Sequence, residues 1–192
     1  MDEILLMYKL GIIRFGEFTL SSGTKSSFYI NMRELPSYPV LFGSIMEKAI
    51  SKIDPESFDV VCGVATGGIP IAAYLAFSLN KPLGYVRSSR KNHGLEELVV
   101  GRVREKRILT VDDVATTGDS LIRSIVALRN AGATVNNALV IVLRNKFVIK
   151  RLNNIGVTLH FVYNALDLVT HLHRVGAISN ETYAYVVDEI EE

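Results

Sequence analysis

The sequence predicts an α/β fold in which a central, mostly parallel sheet is flanked by helices and carries a small N-terminal cap. Three observations lead to this fold class. Strand-like and helix-like segments alternate from Pro39 onward, as the strands and crossover helices of a parallel sheet do. The strand-like segments are short, continuous runs of Val, Ile and Leu, such as residues 138–143, which is typical of strands covered on both faces. The chain before about residue 36 has a different texture and lacks this alternation.

Residues 1–36 are expected to form the cap. A short helix is predicted at about residues 2–10 and a strand at about residues 12–20. A second apolar run at residues 28–32 follows a turn-rich stretch, and this pattern predicts a hairpin with a long loop. Because a two-stranded unit is not stable alone, the cap is expected to pack on the α/β core, residues 37–192, so that the chain forms one domain.

The α/β core is expected to hold the sheet and its helices. Pro39 and Pro70 each fall in the first turn of a predicted helix, where proline is favoured, and Gly132 marks a helix end. In a parallel sheet ligands bind beyond the carboxyl ends of the strands, so the loops after the first four core strands are expected to line one cleft. The predicted helices cover residues 39–53, 69–79, 119–131, 166–175 and 181–190, and the predicted strands cover residues 60–64, 83–87, 107–111, 138–143 and 157–162.

Composition narrows the class of protein. The 192 residues are 48% hydrophobic, and 21 Lys and Arg against 20 Asp and Glu give a net charge of +1, which argues against nucleic acid or an anionic membrane as partner. Lys and Arg are concentrated in residues 87–107, which fits a small polyanion instead. The only cysteine, Cys62, lies in an apolar run and is expected to be a buried hydrophobe. The N-terminus opens with acids rather than a secretory signal, and no apolar run could span a bilayer, so a cytoplasmic protein is expected.

The segment DDVATTGDS, residues 112–120, carries the most specific functional signal. Its two adjacent carboxylates, Asp112 and Asp113, can accept hydrogen bonds from vicinal hydroxyls or hold a divalent cation through water. The rest offers backbone N–H groups, hydroxyls and Gly118 at the positive end of a helix, which suits a phosphate group. Taken singly, Asp119 and Ser120 are also typical of helix caps, and Asp112 and Asp113 are also typical of solvated turns. The combination favours a ribose 5-phosphate group. Because no lysine follows Gly118, the loop is not a P-loop.

Residues 108–118, ILTVDDVATTG, closely resemble the phosphoribosyl pyrophosphate (PRPP) motif of the type I phosphoribosyltransferases. Within that family the chain resembles the orotate phosphoribosyltransferases over roughly residues 12–145. The resemblance implies the type I phosphoribosyltransferase fold and Mg²⁺-dependent transfer of the phosphoribosyl group from PRPP to orotate, giving orotidine 5′-monophosphate and pyrophosphate in pyrimidine (UMP) biosynthesis. The segments that carry the narrower match are residues 15–20, 22–23, 29–31, 63–71, 87–94 and 143–144.

The resemblance also implies roles for individual residues. Lys91, Asp112 and Asp113 are expected to be catalytic. Mg²⁺ is the expected cofactor, held mainly through PRPP and without dedicated protein ligands. Orotate is expected to bind to Tyr29, Ile30, Thr116 and Arg144. PRPP is expected to bind to Lys25, Thr66, Gly67, Arg87, Lys91, His93, Asp112, Asp113, Val114, Ala115, Thr116, Thr117, Gly118, Asp119 and Ser120.

The basic segment at residues 87–94 is long and polar enough to act as a lid over the cleft. A charge run by itself is usually a solvated face, but cations that follow a sheet strand can stabilise a departing pyrophosphate. By resemblance, Arg87 and Lys91 reach the neighbouring subunit's site, which implies a homodimer with shared active sites. Many family members carry lysine at the positions of Ser21, Gly67 and Ser88, so Lys25 or Arg90 is expected to substitute for part of that charge.

Two other functions remain open. A purine phosphoribosyltransferase would share the PRPP motif but not the cap pattern. A PRPP-binding regulator without catalysis would bring a nucleic-acid-binding element, and this nearly neutral chain has no helix-turn-helix extension. The sequence also leaves open an association with orotidine 5′-monophosphate decarboxylase, the enzyme that would act on the product.

Overall fold

The computed structural model describes residues 2–19, 25–88 and 98–191, and it confirms the predicted fold class. The strands are β1 (Ile13–Thr19), β2 (Lys25–Ile30), β3 (Val60–Val64), β4 (Leu83–Val86), β5 (Val99–Val100), β6 (Arg107–Ala115), β7 (Thr134–Leu143) and β8 (Thr158–Asn164). The helices are α1 (Glu3–Lys9), α2 (Pro39–Ile50), α3 (Gly68–Ser78), α4 (Asp119–Asn130), α5 (Phe147–Asn153), α6 (Ala165–Arg174) and α7 (Asn180–Glu191), with short 3₁₀ helices at Met32–Ser37 and Pro55–Ser57.

The central sheet has six strands in the order β5-β4-β3-β6-β7-β8. Its strands pair in parallel except β5, which runs antiparallel to β4. The chain passes from β3 outward to β4 and returns to β6 on the other side of β3, so the strand order reverses between β3 and β6. A crevice opens at such a reversal because the two following helices, here α3 and α4, lie on opposite faces of the sheet.

Apolar side chains pack in one cluster on each face of the sheet, because successive side chains on a strand point in opposite directions. On β6, Leu109 packs in one cluster and Ile108 in the other. Phe28 of β2 belongs to the same cluster as Leu109, together with Met7 of α1. The antiparallel β1–β2 hairpin therefore shares a continuous core with the sheet, and burial of its apolar side chains holds it there.

The structure differs from the sequence prediction in several places, one of which is the short, unpredicted strand β5. Strand β6 continues to Ala115, so residues 112–115 lie on the strand and not in the loop that was expected, and β7 extends beside them to Leu143. Strand β7 begins at Thr134 rather than near residue 138. Its first residues were not predicted as strand because Asn136 and Asn137 are poor strand formers. Helix α5 was not predicted, since its seven residues are too few for a clear helical period.

Outside the cleft, the cysteine agrees with the sequence analysis, and two histidines contact polar partners. Cys62 is fully buried on β3, and burial raises the pKa of its thiol to about 12. His171 and His173 contact different partners, Asp2 at 2.8 Å and Asn180 at 2.7 Å. Within residues 2–19, 25–88 and 98–191, no helix is long and apolar enough to cross a membrane.

Candidate active site

A cleft of about 450 Å³ lies at the carboxyl ends of β3 and β6, where the strand order reverses. The loops after β3, β6 and β7 line it, as predicted, while the loop after β4 lies largely outside the described residues. Many of the residues assigned to PRPP and orotate meet here. They are Tyr29, Ile30, Thr66, Gly67, Asp112, Asp113, Val114, Ala115, Thr116, Thr117, Gly118, Asp119, Ser120 and Arg144.

Two neighbouring carboxylates, those of Asp112 and Asp113, line this cleft. Asp112 is only 7% exposed, and one of its oxygens accepts a hydrogen bond from the Asp113 backbone N–H at 2.9 Å. Burial, and then the charge of Asp113, raise the pKa of Asp112 well above its ordinary value. Asp113 accepts from the Val114 N–H at 2.8 Å and lies 3.9 Å from the Arg33 guanidinium. Hydrogen-bond donors or a cation placed in the cleft would therefore stabilise the ionised form of this pair.

Gly67 and Gly68 let the start of α3 approach β6 closely. Gly67 has ordinary helical backbone angles, with φ −66° and ψ −33°, so its need for glycine does not come from the backbone. A methyl group at Gly67 would overlap the carboxylate of Asp113, whose most distant oxygen would lie at 2.8 Å. A methyl group at Gly68 would overlap the backbone of Val111. The peptide bond between Ala65 and Thr66, just before this turn, is cis.

Residues 116–120 line the cleft as a loop that leads into helix α4. Gly118 has φ +78°, a left-handed conformation that glycine adopts without strain, and a methyl group there would meet Val148 of α5 at 2.8 Å. Helix α4 starts at the next residue, and its first-turn residues line the cleft. The first backbone N–H groups of a helix have no partner within the helix, and they lie at its positive end. This arrangement suits a phosphate group.

Arg151 fixes the same segment from the side of α5. Its guanidinium lies 2.8 Å from Asp119 and also donates to the Thr117 carbonyl. The hydroxyl of Thr117 donates to the other Asp119 oxygen at 2.7 Å. Asp119 is therefore engaged in holding the loop together. The sequence analysis missed Arg151 because it lies on the helix that was not predicted.

Arg144 also lines the cleft. It follows β7, is 9% exposed, and its backbone N–H donates to the Ala115 carbonyl at 2.8 Å. Its guanidinium lies over the ring of Phe28, with 4.0 Å between the guanidinium carbon and the ring centroid. The sequence analysis expected Arg144 to bind orotate; in the structure its guanidinium also pairs with the carboxylate of Glu189 on α7, at 2.7 Å. Nothing in the local sequence linked α7 to this site.

Two of the assigned residues are described but do not line the cleft, and two others fall outside the described residues. Lys25 is exposed at the start of β2. Arg87 follows β4, and its backbone N–H donates to the Leu98 carbonyl at 2.9 Å. Lys91 and His93 lie outside the described residues, so their roles stay predictions. Arg33, in contrast, lines the cleft and was missed, although its position just after the Tyr29–Asn31 segment was a usable signal.

Comparisons with known proteins agree with this geometry. The family model of the phosphoribosyl transferase domain matches residues 40–158. The orotate phosphoribosyltransferase of Sulfolobus acidocaldarius is 35% identical over 188 residues, which cover 98% of this chain and 95% of that protein. The crystal structure of orotate phosphoribosyltransferase from Aeropyrum pernix superposes with a TM-score of 0.80 at 39% identity, covering 92% of this chain and 99% of that one.

A third relative is larger than this chain. The structure of Leishmania donovani UMP synthase matches with a TM-score of 0.86 at 26% identity, and the match covers 99% of this chain but 42% of that one. The near-complete coverage of the curated relative and of the Aeropyrum structure extends the likeness from the PRPP motif to the cap. The chain therefore belongs to the orotate phosphoribosyltransferases, within the phosphoribosyl transferase domain family.

Proposed function

We propose that this protein transfers the 5-phosphoribosyl group of PRPP to N1 of orotate, giving orotidine 5′-monophosphate and pyrophosphate. One observation carries the proposal. A single cleft brings together a carboxylate pair, a helix start that suits a phosphate group, and a buried arginine, Arg144. Those groups are complementary to the ribose, the 5′-phosphate and the anionic base of the two substrates.

The PRPP half of the reaction needs positioning and charge more than a nucleophile. Asp112 and Asp113 accept hydrogen bonds from the ribose hydroxyls, and their negative charge stabilises C1′ as it becomes positive when the pyrophosphate leaves. The backbone N–H groups at the start of α4 bind the 5′-phosphate and fix the ribose relative to the two carboxylates. The contacts of Arg151 keep this loop in its binding conformation before substrate arrives.

The base half uses groups from β2 and β7. Arg144 donates to the carboxylate of orotate, a pairing that the guanidinium makes strongly because it presents several N–H groups in one plane. Tyr29 and Ile30 on β2 line the same cleft and are the residues that contact the pyrimidine ring in this proposal. Thr116 lines the same cleft, where it can contact both substrates.

Mg²⁺ is part of this proposal. The cleft offers hard oxygen donors, the carboxylates of Asp112 and Asp113, which suit an ion that keeps several waters and binds through one or two carboxylates and substrate phosphates. When bound, Mg²⁺ offsets part of the negative charge on the pyrophosphate that leaves. Within the described residues, no group of three His, Cys, Asp or Glu side chains forms a separate metal site.

We also propose a homodimer with shared sites. The basic segment that follows β4 is expected to act on the neighbouring subunit's cleft. Val40 on α2 and Phe77 on α3 are 78% and 89% exposed, and these adjacent helices are joined by the Phe42–Tyr74 ring contact, so they offer an apolar surface to a second copy. Mixing an inactive Lys91→Ala protein with an inactive Asp113→Asn protein should restore part of the activity. If subunits exchange and the mixture stays inactive, the sites are not shared.

The product suggests one further partner. Orotidine 5′-monophosphate must lose CO₂ before it is a usable pyrimidine nucleotide, so a decarboxylase acts next. A structural relative of this chain is a UMP synthase of which the matched part is 42%. An association with orotidine 5′-monophosphate decarboxylase is therefore part of the proposal, to be tested by co-purification of the two proteins at matched concentrations.

The direct test is an absorbance assay of orotate consumption by the pure protein with PRPP and Mg²⁺. We expect turnover of orotate and none of adenine, guanine or hypoxanthine. Turnover of a purine instead would identify a purine phosphoribosyltransferase. Tight PRPP binding without turnover of any base would identify a regulator, and either result would overturn the proposal.

A further inference from the structure

Glu189 on α7 connects the cap to Arg144, which lines the cleft. Its Oε2 accepts hydrogen bonds from the backbone N–H of Ser27, at 2.6 Å, and from the hydroxyl of the same residue. Its Oε1 lies 2.7 Å from Nη2 of Arg144. One carboxylate thus holds strand β2, which carries Tyr29 and Ile30, and the arginine at the end of β7 in a fixed relation.

Arg144 is held in one orientation by three neighbours. Within the described part of the chain, its side chain donates only through Nη2, to Glu189 and to the hydroxyl of Ser26. The ring of Phe28 lies against the guanidinium face. Since Arg144 also lines the cleft, Nε and Nη1 are left for a ligand, and the plane in which they donate is already set. Pre-set donors lose less conformational entropy when they bind a carboxylate.

The charge balance around Arg144 supports the same role. Burial lowers the pKa of Arg144, and the nearby Glu189 carboxylate opposes that shift. Burial would raise the pKa of Glu189, but hydrogen bonds from Ser26 and Ser27 and the charge of Arg144 outweigh it and hold that pKa below its ordinary value. Glu189 is thus ionised at neutral pH, and it compensates the buried guanidinium when no substrate carboxylate is bound.

We infer that Glu189 is a positioning residue for base recognition: it orients Arg144 and ties it to β2, so that both contact the same base. This inference rests on the proposed function in taking that base to be orotate. Glu189 touches neither substrate in this scheme and acts through Arg144. Glu189 follows Arg144 by 45 positions and Ser27 by 162 positions in the sequence. Both contacts therefore depend on the docking of α7 against β2.

The test compares Glu189→Gln with Asp188→Asn. Both variants remove one negative charge from α7, but Asp188 is exposed and its neighbour Glu189 is bonded to Arg144. We expect Glu189→Gln to raise KM for orotate about tenfold, because a hydrogen bond between charged groups is lost, while KM for PRPP changes less than about twofold. Asp188→Asn should change neither value.

A double-mutant cycle separates positioning from general stability. In an Arg144→Gln background, Glu189→Gln should add no further rise in KM for orotate, because the residue it orients is gone. Additive losses would overturn the inference. So would an equal rise in both KM values, or a fall in KM for orotate, which would mean that Glu189 competes with the substrate carboxylate.

A second variant covers the case in which Glu189→Gln does not fold. Ser27→Ala removes one hydrogen bond to the same carboxylate and leaves its charge in place. We expect about a twofold to threefold rise in KM for orotate with KM for PRPP unchanged. An unchanged KM for orotate would overturn the inference. Failure of the proposed function is distinguishable, because the wild-type protein would then not consume orotate at all.

Discussion

The contact between Gly67 and Asp113 gives a sharp prediction about the ribose end of the cleft. The change is Gly67→Ala, which adds one methyl group to a residue whose φ of −66° and ψ of −33° are ordinary for alanine. Backbone strain is therefore absent. The obstacle is overlap with the Asp113 carboxylate, because its three terminal atoms all lie within 2.8 Å of the added methyl group.

The size of the effect follows from that geometry. Ordinary van der Waals contact begins near 3.4 Å, so even the most distant carboxylate oxygen, at 2.8 Å, must move by about 0.6 Å and the nearer atoms by more than 1 Å. Overpacking of this kind costs about 1–3 kcal/mol of stability. Misplacing a reacting group by about 1 Å costs up to about 10²-fold, so we expect kcat/KM for PRPP to fall between about tenfold and 10²-fold.

The assay is steady-state turnover at varied PRPP with saturating orotate, together with thermal unfolding. Gly43→Ala is the matched control, because Gly43 lies inside α2 and the nearest atom to an added methyl group is the Tyr74 hydroxyl at 3.8 Å. That variant should keep full activity and gain up to about 1 kcal/mol of stability from helix propensity. Full activity in a folded Gly67→Ala protein would refute the reasoning, since Asp113 could then act from another position.

Three further predictions follow from the same structure. Asp112→Asn should lower kcat by about 10²-fold or more, since an electrostatic contact to the reacting ribose is lost. The same variant should be more stable than the wild type by at least about 1 kcal/mol at mildly alkaline pH. This gain in stability should vanish as the pH falls to the ordinary pKa of 3.8, because the raised pKa of Asp112 destabilises the folded state only where Asp112 of the unfolded chain is ionised. Urea unfolding of both proteins at several pH values measures the gain. A gain that does not depend on pH would contradict the prediction. Arg151→Met should raise KM for PRPP by about threefold to tenfold and leave KM for orotate unchanged, because the contacts of Arg151 with Asp119 and Thr117 are lost. Lys150→Met on the same helix is the control and should change neither value. Equal effects of the two variants in turnover assays would contradict the role of the Arg151 contacts. Cys62 should resist iodoacetamide in the folded protein and react in concentrated urea, because burial raises the pKa of its thiol to about 12; labelling of the native protein, seen by intact mass, would show that β3 opens.

The parts of the fold that could be predicted from the sequence are those that depend on local pattern. Residues 108–111 are buried and apolar apart from Thr110 because β6 is covered on both faces, and the acids and hydroxyls that follow them stand out against that background. The loops after β3 and β7 could be placed at the same edge because parallel strands end there together. The cleft was predictable for this reason.

The parts that could not be predicted depend on contacts between distant elements. The need for glycine at Gly67 is set by Asp113, which is 46 positions later in the chain. The pairing of Glu189 with Arg144 requires α7 to dock on β2, and no local period reports that packing. Arg151 lies on a helix of seven residues, too short for a clear helical pattern.

The bond between Ser27 and Glu189 has a consequence for the order in which the protein can mature during synthesis. A ribosome releases Ser27 long before Glu189, which lies 162 positions later, and domains fold as their segments emerge. The carboxyl ends of β3 and β6, with their glycines and aspartates, can assemble once the middle of the chain is out. Arg144 gains its contact with Glu189 only after α7 has emerged. A nascent chain is therefore expected to bind the sugar phosphate before it can select a base.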